Sequence, residues 1–324
     1  MTQVSVQQRW QQLCHAKLLY RFIDVWLRSY GQVMLQNNAL SGLIFFTGVL
    51  VASLSMNKPE IVCASLIAVI CANLMAYIYQ LNHKAWQQGI YGFNACLIGI
   101  ALATFCEQSL YLWSEIVLAA CLSVFVTQAC SNILQHWYLP CLTLPFILLS
   151  WLFLLCIPAF SQLNPSHTVN ALTHSSQFNL HTITSGSLLG LAEVFLANST
   201  LAGILFLLGL AINSRKIAIY SVIGSALAVG IALLYGGQME LINLGLYSFN
   251  AVLTAITLAT FCDKQNLKTV VYILLGIILT VLTQAALMAV LTPYAIPVLT
   301  MPFVLVSWLW LLTNQVLNQI DSER

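Results

Sequence analysis

Apolar residues run in long blocks along this chain, separated by short polar breaks. The blocks cover 39–55, 60–79, 94–106, 110–134 and 145–160. After a polar stretch at 161–186 come 200–214, 217–235, 250–262, 269–291 and 301–313. A helix crosses a bilayer with about 20 apolar residues. The pattern therefore predicts ten membrane helices, five on each side of the polar stretch. The shorter blocks either borrow flanking residues such as Tyr91 or Tyr247, or they are partial spans. Two mixed segments, 25–38 and 187–199, stand before the first block of each half. They are too short and polar to cross. They predict re-entrant half-helices, which are tolerated at membrane depth only inside protein or along a watery cavity. An interfacial amphipathic helix competes for the first of them.

The chain also repeats itself. Tyr91-Gly92-Phe93-Asn94-Ala95-Cys96-Leu97 returns as Tyr247-Ser248-Phe249-Asn250-Ala251-Val252-Leu253, an offset of 156 (249 − 93). Both copies run into Leu-Ala-Thr-Phe-Cys, ending at Cys106 and Cys262. Leu142-Thr143-Leu144-Pro145-Phe146 returns as Leu299-Thr300-Met301-Pro302-Phe303, and Ser150-Trp151-Leu152 as Ser307-Trp308-Leu309. A weaker pair, Gln32-Val33-Met34-Leu35 and Glu193-Val194-Phe195-Leu196, opens each half. A fixed-period match implies duplication, and a duplicated membrane fold places its site between the halves.

Five crossings per repeat set the second repeat upside down relative to the first. Charge supports this, because Lys and Arg gather on the cytoplasmic side. With the N-terminus inside, Arg9, Lys17, Arg21, Arg28, Lys84, Arg215, Lys216, Lys264, Lys268 and Arg324 all fall inside, and only Lys58 falls outside. The expected organisation is a cytoplasmic segment 1–24, a first repeat 25–160, an extracytoplasmic linker 161–186, a second repeat 187–313 and a cytoplasmic tail 314–324. The fold class is an all-α integral membrane protein: two inverted-topology repeats, each of five transmembrane helices plus one re-entrant pore helix.

Composition agrees. The chain is 60% hydrophobic and 6% charged, with mean hydropathy +0.88, against about 25% charged residues in soluble domains. No secretory signal is expected. The net charge of +2 carries no sign of a nucleic-acid partner. The ten cysteines lack C-x-x-C spacing and read as packing residues, not a metal or redox site. His167, His174 and His181 recur every seven residues in the linker, and a solvated loop explains them better than a metal site. Glu115 reads as favourable to the start of its helix. No catalytic motif or phosphate loop is present, so the protein is expected to be no enzyme and to need no cofactor.

The candidate chemistry is polar and sparse. Glu193 is a carboxylate among apolar neighbours, costly in a membrane unless it faces a cavity or a partner. Its counterpart is the neutral Gln32, so the shared feature is a side-chain carbonyl oxygen, which suits a solute rich in N–H donors. Phe93 with Leu97, and Phe249 with Leu253, are i, i+4 pairs on one helix face. Helix packing explains a single pair. The duplicated pair beside Asn94 or Asn250 points to a narrow apolar slot. Thr143 and Thr300 precede prolines that free backbone carbonyls; a capping threonine is the plainer reading.

Taken together, these residues resemble the urea transporter family. The resemblance rests on Gly31-Gln32-Val33-Met34 with Asn37-Asn38 and Leu40-Ser41-Gly42, on both Phe-Asn-x-x-Leu copies and on both Leu-Thr-x-Pro-Phe copies. It implies passive, channel-like transport of urea by a homotrimer, one pore per protomer, as a multi-pass protein of the bacterial inner membrane with both termini cytoplasmic. It implies oxygen rows opened by Gln32 and Glu193, with Thr143 and Thr300 near the pore centre. One slot would be Phe93, Leu97 and Leu35, the other Phe249, Leu253 and Leu196, with Val33 and Val194 lining the constriction. The sequence departs from relatives in having Leu35 and Leu196 at a slot position that is often aromatic, and Ser248 where the first copy has Gly92. The departures keep a broader small-amide or ammonia pore open as an alternative. A proton-coupled carrier using Glu193 is the other.

Overall fold

The computed structural model describes Trp10, Gln12, Cys14 and residues 17–157, 180–262 and 266–322. Among these residues the regular elements are helical. They are α1 (Leu18–Gln32), α2 (Ala39–Ser55), α3 (Pro59–Ile78), α4 (His83–Gln87), α5 (Phe93–Phe105), α6 (Leu110–Leu134) and α7 (Leu144–Cys156). Then follow α8 (Leu180–Ala192), α9 (Thr200–Asn213), α10 (Arg215–Leu234), α11 (Met239–Asn243), α12 (Phe249–Phe261), α13 (Leu267–Leu291) and α14 (Met301–Ser322). Short 3₁₀ turns follow α6, α8 and α13, at Gln135–Trp137, Glu193–Phe195 and Thr292–Tyr294.

Backbone N–H groups at a helix start have no partner in the helix and, in lipid, none from water. Polar side chains meet the need. Asn38 starts α2 by accepting from the N–H groups of Leu40 and Ser41. Ser109 does this for α6, Ser199 for α9, Ser214 for α10 and Asn266 for α13. The polar breaks between apolar blocks are therefore caps as well as loops.

Helices α3, α6, α10 and α13 are long and apolar enough to cross a membrane alone. At 1.5 Å per residue, a 13-residue helix such as α5, α7 or α12 covers only about 20 Å of a roughly 30 Å apolar core. Over these lengths they are too short to cross alone. Tyr91 and Tyr247 do not lengthen α5 and α12, because each lies in a turn that ends where the helix begins. The segment after α8 bends by 75° into α9.

The helices over the two segments expected to be re-entrant start earlier than the hydrophobic pattern indicated. α1 begins at Leu18, ahead of 25, and α8 at Leu180, within the stretch read as linker. The His-Thr-Ile-Thr-Ser run of α8 carries β-branched and hydroxyl residues of modest helix propensity, which hid the helix. α14 runs on to Ser322, past the apolar block ending at 313. His167 and His174 lie outside the described residues. No group of three potential metal ligands occurs among the described residues. The reading of Glu115 as a partner of its helix start is overturned. α6 has no acidic residue in its first turn, and the dipole's influence fades within that turn.

Asn57 apart, left-handed backbone falls at matched places. Positive φ occurs at Leu35 and Leu196, Tyr138 and Ala295, and Leu142 and Leu299. It also occurs at Gln80 and Gly236, and at Gly89 and Gly245. Bulky residues such as leucine rarely adopt this conformation, so the same unusual turns are imposed on both sides of 161–179.

The core joins the two sides. α2 and α9 pack on each other through reciprocal sockets. The Phe206 ring lies where a side chain at Gly48 would begin, 2.3 Å from that position. The Phe45 ring lies 2.4 Å from the equivalent point at Gly209. The two rings meet edge to face at 5.7 Å. Farther along, Trp151 Nε1 donates to Pro297 O at 2.8 Å and Trp308 Nε1 to Pro140 O at 2.9 Å. The repeated Ser-Trp-Leu motif is thus a cross-tie.

Candidate functional site

The site is built on helix ends. α1 stops at Gln32, and the N–H groups of Met34 and Gln36 both turn back onto Gly31 O. Leu35, with φ near 57°, reverses the chain. On the other side α8 gives way to the 3₁₀ turn at Glu193, and Leu196, φ near 51°, does the same. Gln32 Nε2 donates to Gln88 O at 2.9 Å. Its amide nitrogen is anchored there, which leaves the side-chain oxygen as the free acceptor. Glu193 is only 8% exposed, and its carboxylate makes no hydrogen bond or ion pair among the described residues.

α5 and α12 open at Phe93 and Phe249. Both rings are buried, as are Leu97 and Leu253 one turn on. Between them Asn94 and Asn250 supply what the bare starts of α7 and α14 lack. Asn94 Oδ1 accepts from Phe146 N at 3.2 Å, and its Nδ2 donates to Leu142 O and Thr127 Oγ1 at 3.4 Å. Asn250 Oδ1 accepts from Phe303 N at 3.3 Å, and its Nδ2 donates to Leu299 O at 3.0 Å and Gln284 Oε1 at 2.6 Å. The two repeated motifs, Phe-Asn-x-x-Leu and Leu-Thr-x-Pro-Phe, are therefore one unit folded together. The asparagine caps the helix that follows the threonine.

That arrangement releases the threonines. Thr143 stands at the N-cap position of α7, yet its side chain caps nothing. Its hydroxyl meets that of Thr300 at 2.7 Å. Both residues are almost fully buried, at 1% and 3% exposure. The plainer sequence reading, a capping threonine, is replaced by a hydroxyl pair between the two sides of the molecule.

A cavity of about 270 Å³ leads to this pair, lined by Gln32, Val33, Leu35, Phe93, Leu142 and Thr143. Five residues proposed from sequence are thus brought into one space. Leu97 does not line it and lies one helical turn farther along α5. Phe261 and Phe303 also line the cavity and were missed. Both sit in repeated motifs, Leu-Ala-Thr-Phe-Cys and Leu-Thr-Met-Pro-Phe, so the repetition was the available signal. Glu193, Val194, Phe249 and Leu253 are buried and do not line this cavity. Leu196 borders a narrow crevice with Phe195 and Ala197.

Comparison with known proteins now decides the family. The model of the family described as "UT: Urea transporter" matches residues 23–315. The chain belongs to the urea transporter family. This is a family of multi-pass membrane transport proteins, not an enzyme class. Urea transporter 1 of Ovis aries is 25% identical over 300 residues, covering 90% of this chain and 77% of the sheep protein. Urea transporter 1 of Mus musculus is 24% identical over 303 residues, covering 91% of this chain and 78% of the mouse protein. The urea transporter match includes every candidate site residue, from Gln32 to Thr300. It begins after Arg21 and so leaves out Trp10 and Cys14.

Proposed function

We propose that the protein is a passive urea channel with two halves of inverted topology. The observation that carries this reading is the Thr143–Thr300 hydroxyl pair at the end of a cavity opened by Gln32 and Phe93, in a member of the urea transporter family. Urea is planar, neutral and rich in N–H donors. Gln32 and Glu193 would replace part of its water shell stepwise. Phe93, Leu97 and Leu35 would form one apolar slot; Phe249, Leu253 and Leu196 would form the other. Val33 and Val194 would narrow the path. Apolar walls leave a hydrated ion nothing to exchange its water for, and this excludes it.

The matched left-handed turns and reciprocal Trp151 and Trp308 ties support inverted repeats with re-entrant α1 and α8. The charge distribution supports cytoplasmic termini, and the family resemblance supports a homotrimer in the bacterial inner membrane. A second reading has one specific observation behind it. The unpartnered Glu193 carboxylate could carry a coupling proton. Stopped-flow urea efflux from proteoliposomes, with and without a proton gradient, separates the two. Fast flux indifferent to the gradient is expected. Flux that saturates and follows the gradient would transfer Glu193 to a coupling role, and flux no faster than empty vesicles would end the urea reading.

A further inference from the structure

The turns that follow α1 and α8 take the same backbone path but are held differently. Leu35 and Leu196 are both left-handed, at φ 57° and 51°. In each turn the next residue donates its N–H to the end of the preceding helix, Gln36 N to Gly31 O at 2.9 Å and Ala197 N to Ala192 O at 3.2 Å. The first turn has side-chain ties as well. Gln36 is fully buried. Its Nε2 donates to Met34 O at 2.6 Å, which straps the chain across Leu35. Its Oε1 accepts from Asn213 Nδ2 at 2.7 Å, at the last residue of α9. Asn213 Oδ1 accepts in turn from Asn38 Nδ2 at 3.2 Å, and Ser41 Oγ donates to Gly209 O at 2.7 Å. The offset of 161 (193 − 32) that pairs Gln32 with Glu193 also pairs Gln36 with Ala197 (197 − 36), Ser41 with Ala202 (202 − 41) and Asn213 with Ala52 (213 − 52). Alanines therefore stand where the first turn has its polar ties. Ser199, the counterpart of Asn38, spends its hydroxyl on the start of α9. Ala52 and Ala197 border the narrow crevice beside Leu196.

We propose that Gln36 and Asn213 are positioning residues that fix the slot at Leu35, so that this slot discriminates between solutes while the one at Leu196 yields. A leucine in the left-handed region is strained and stays there only where its surroundings over-determine it. At Leu35 the buried Gln36 amide does this. Moving the leucine would break its bonds to Met34 O and Asn213, and a buried polar group left unpaired is costly. At Leu196 backbone bonds act without such a strap, and unfilled space lies alongside. Leu35 lines the cavity that leads to Thr143, whereas Gln36 and Asn213 do not, so the two amides act through the leucine. The claim about selectivity deepens the proposed channel function and rests on it. The difference in rigidity between the two turns does not.

Two measurements on the purified full chain test this. The first is amide hydrogen exchange in detergent, which needs no variant. Gln36 and Asn38 donate their backbone N–H groups as Ala197 and Ser199 do, yet the first two are expected to exchange about tenfold more slowly because of the side-chain ties. Asn213→Ala is expected to remove most of that difference. The second is stopped-flow efflux of urea and of N-methylurea, a planar solute one methyl group wider, from proteoliposomes. Asn213→Ala is expected to raise the ratio of N-methylurea to urea flux about fivefold, as is Gln36→Met, which keeps the side chain's length without its polar atoms. Asn198→Ala alters an exposed residue of the second turn and is expected to change the ratio less than about twofold. Equal exchange in the two turns of the parent overturns the proposal. So does a lowered melting temperature with an unchanged flux ratio in Asn213→Ala and Gln36→Met, since the ties would then only hold the fold. Parent urea flux no faster than empty vesicles would end the channel reading and the selectivity claim with it, while slower exchange at Gln36 would still stand as a property of the turn.

Discussion

The hydroxyl oxygens of Thr143 and Thr300 lie 2.7 Å apart, each at the buried start of a helix that an asparagine from another helix caps. One hydrogen joins them, so the pair keeps one hydrogen and several lone pairs for a passing solute. Thr143→Val and Thr300→Val are each expected to slow urea efflux about tenfold, the consequence of roughly 1.4 kcal/mol lost from a transition barrier. Stopped-flow light scattering on proteoliposomes measures it. Parent-like flux in both variants would remove the pair from the path.

Glu193 and Gln32 occupy matched helix ends and share only a carbonyl oxygen. Glu193→Gln is therefore expected to keep urea flux within about threefold of the parent, while Glu193→Ala lowers it tenfold or more, since a hydrogen bond to a desolvated solute contributes on the order of 1–3 kcal/mol. If Glu193→Gln were as slow as Glu193→Ala and the parent flux followed a proton gradient, the carboxylate would be acting through its proton.

Asn94 and Asn250 each hold a helix start and the preceding carbonyl. Replacing either with leucine leaves Phe146 N or Phe303 N buried without a partner. The expected loss is about 2–4 kcal/mol of stability, from two or three such groups at roughly 1 kcal/mol or more each. It would be read as a lowered melting temperature in detergent. An unchanged melting temperature would mean that the clamp is dispensable.

Ser29 and Gly92 on one side exchange roles with Gly190 and Ser248 on the other. A side chain at Gly92 would begin 2.2 Å from Ser29 Oγ, and one at Gly190 would begin 1.9 Å from Ser248 Oγ. Each contact has room for one hydroxymethyl group, supplied from opposite partners. Gly92→Ser alone is expected to cost about 1–3 kcal/mol through overpacking. Gly92→Ser with Ser29→Gly is expected to recover most of it, a coupling seen only between touching residues. Equal melting temperatures for the single and double variants would contradict the exchange.

This last pair shows what the sequence carried and what it did not. Ser248 in place of Gly92 was visible as a departure between copies, but its compensation at Gly190 lies 58 residues away (248 − 190) in a segment whose repeat match is weak. The apolar blocks located the helices closely, because burial in lipid leaves a strong one-dimensional signal. α6, at Leu110–Leu134, coincides with its block. The first residues of α1 and α8 were hidden, since Arg21, Asp24 and the threonines of α8 carry no such signal. Gln32, Leu35, Phe93 and Thr143 were legible as site candidates through repetition. The Thr143–Thr300 contact and the capping role of Asn94 were not, because both depend on which helices meet, and spacing along the chain does not encode that.

The sockets formed by Phe45 on Gly209 and Phe206 on Gly48 bear on how fast the protein can work. A carrier that alternates its opening would have to withdraw both rings and part the Trp151 and Trp308 ties in every cycle. A joint of this kind resists hinging and favours a standing aperture. Temperature should then affect passage mainly through the solute's release from water, giving a shallow Arrhenius slope instead of the steep one of a gate that swings.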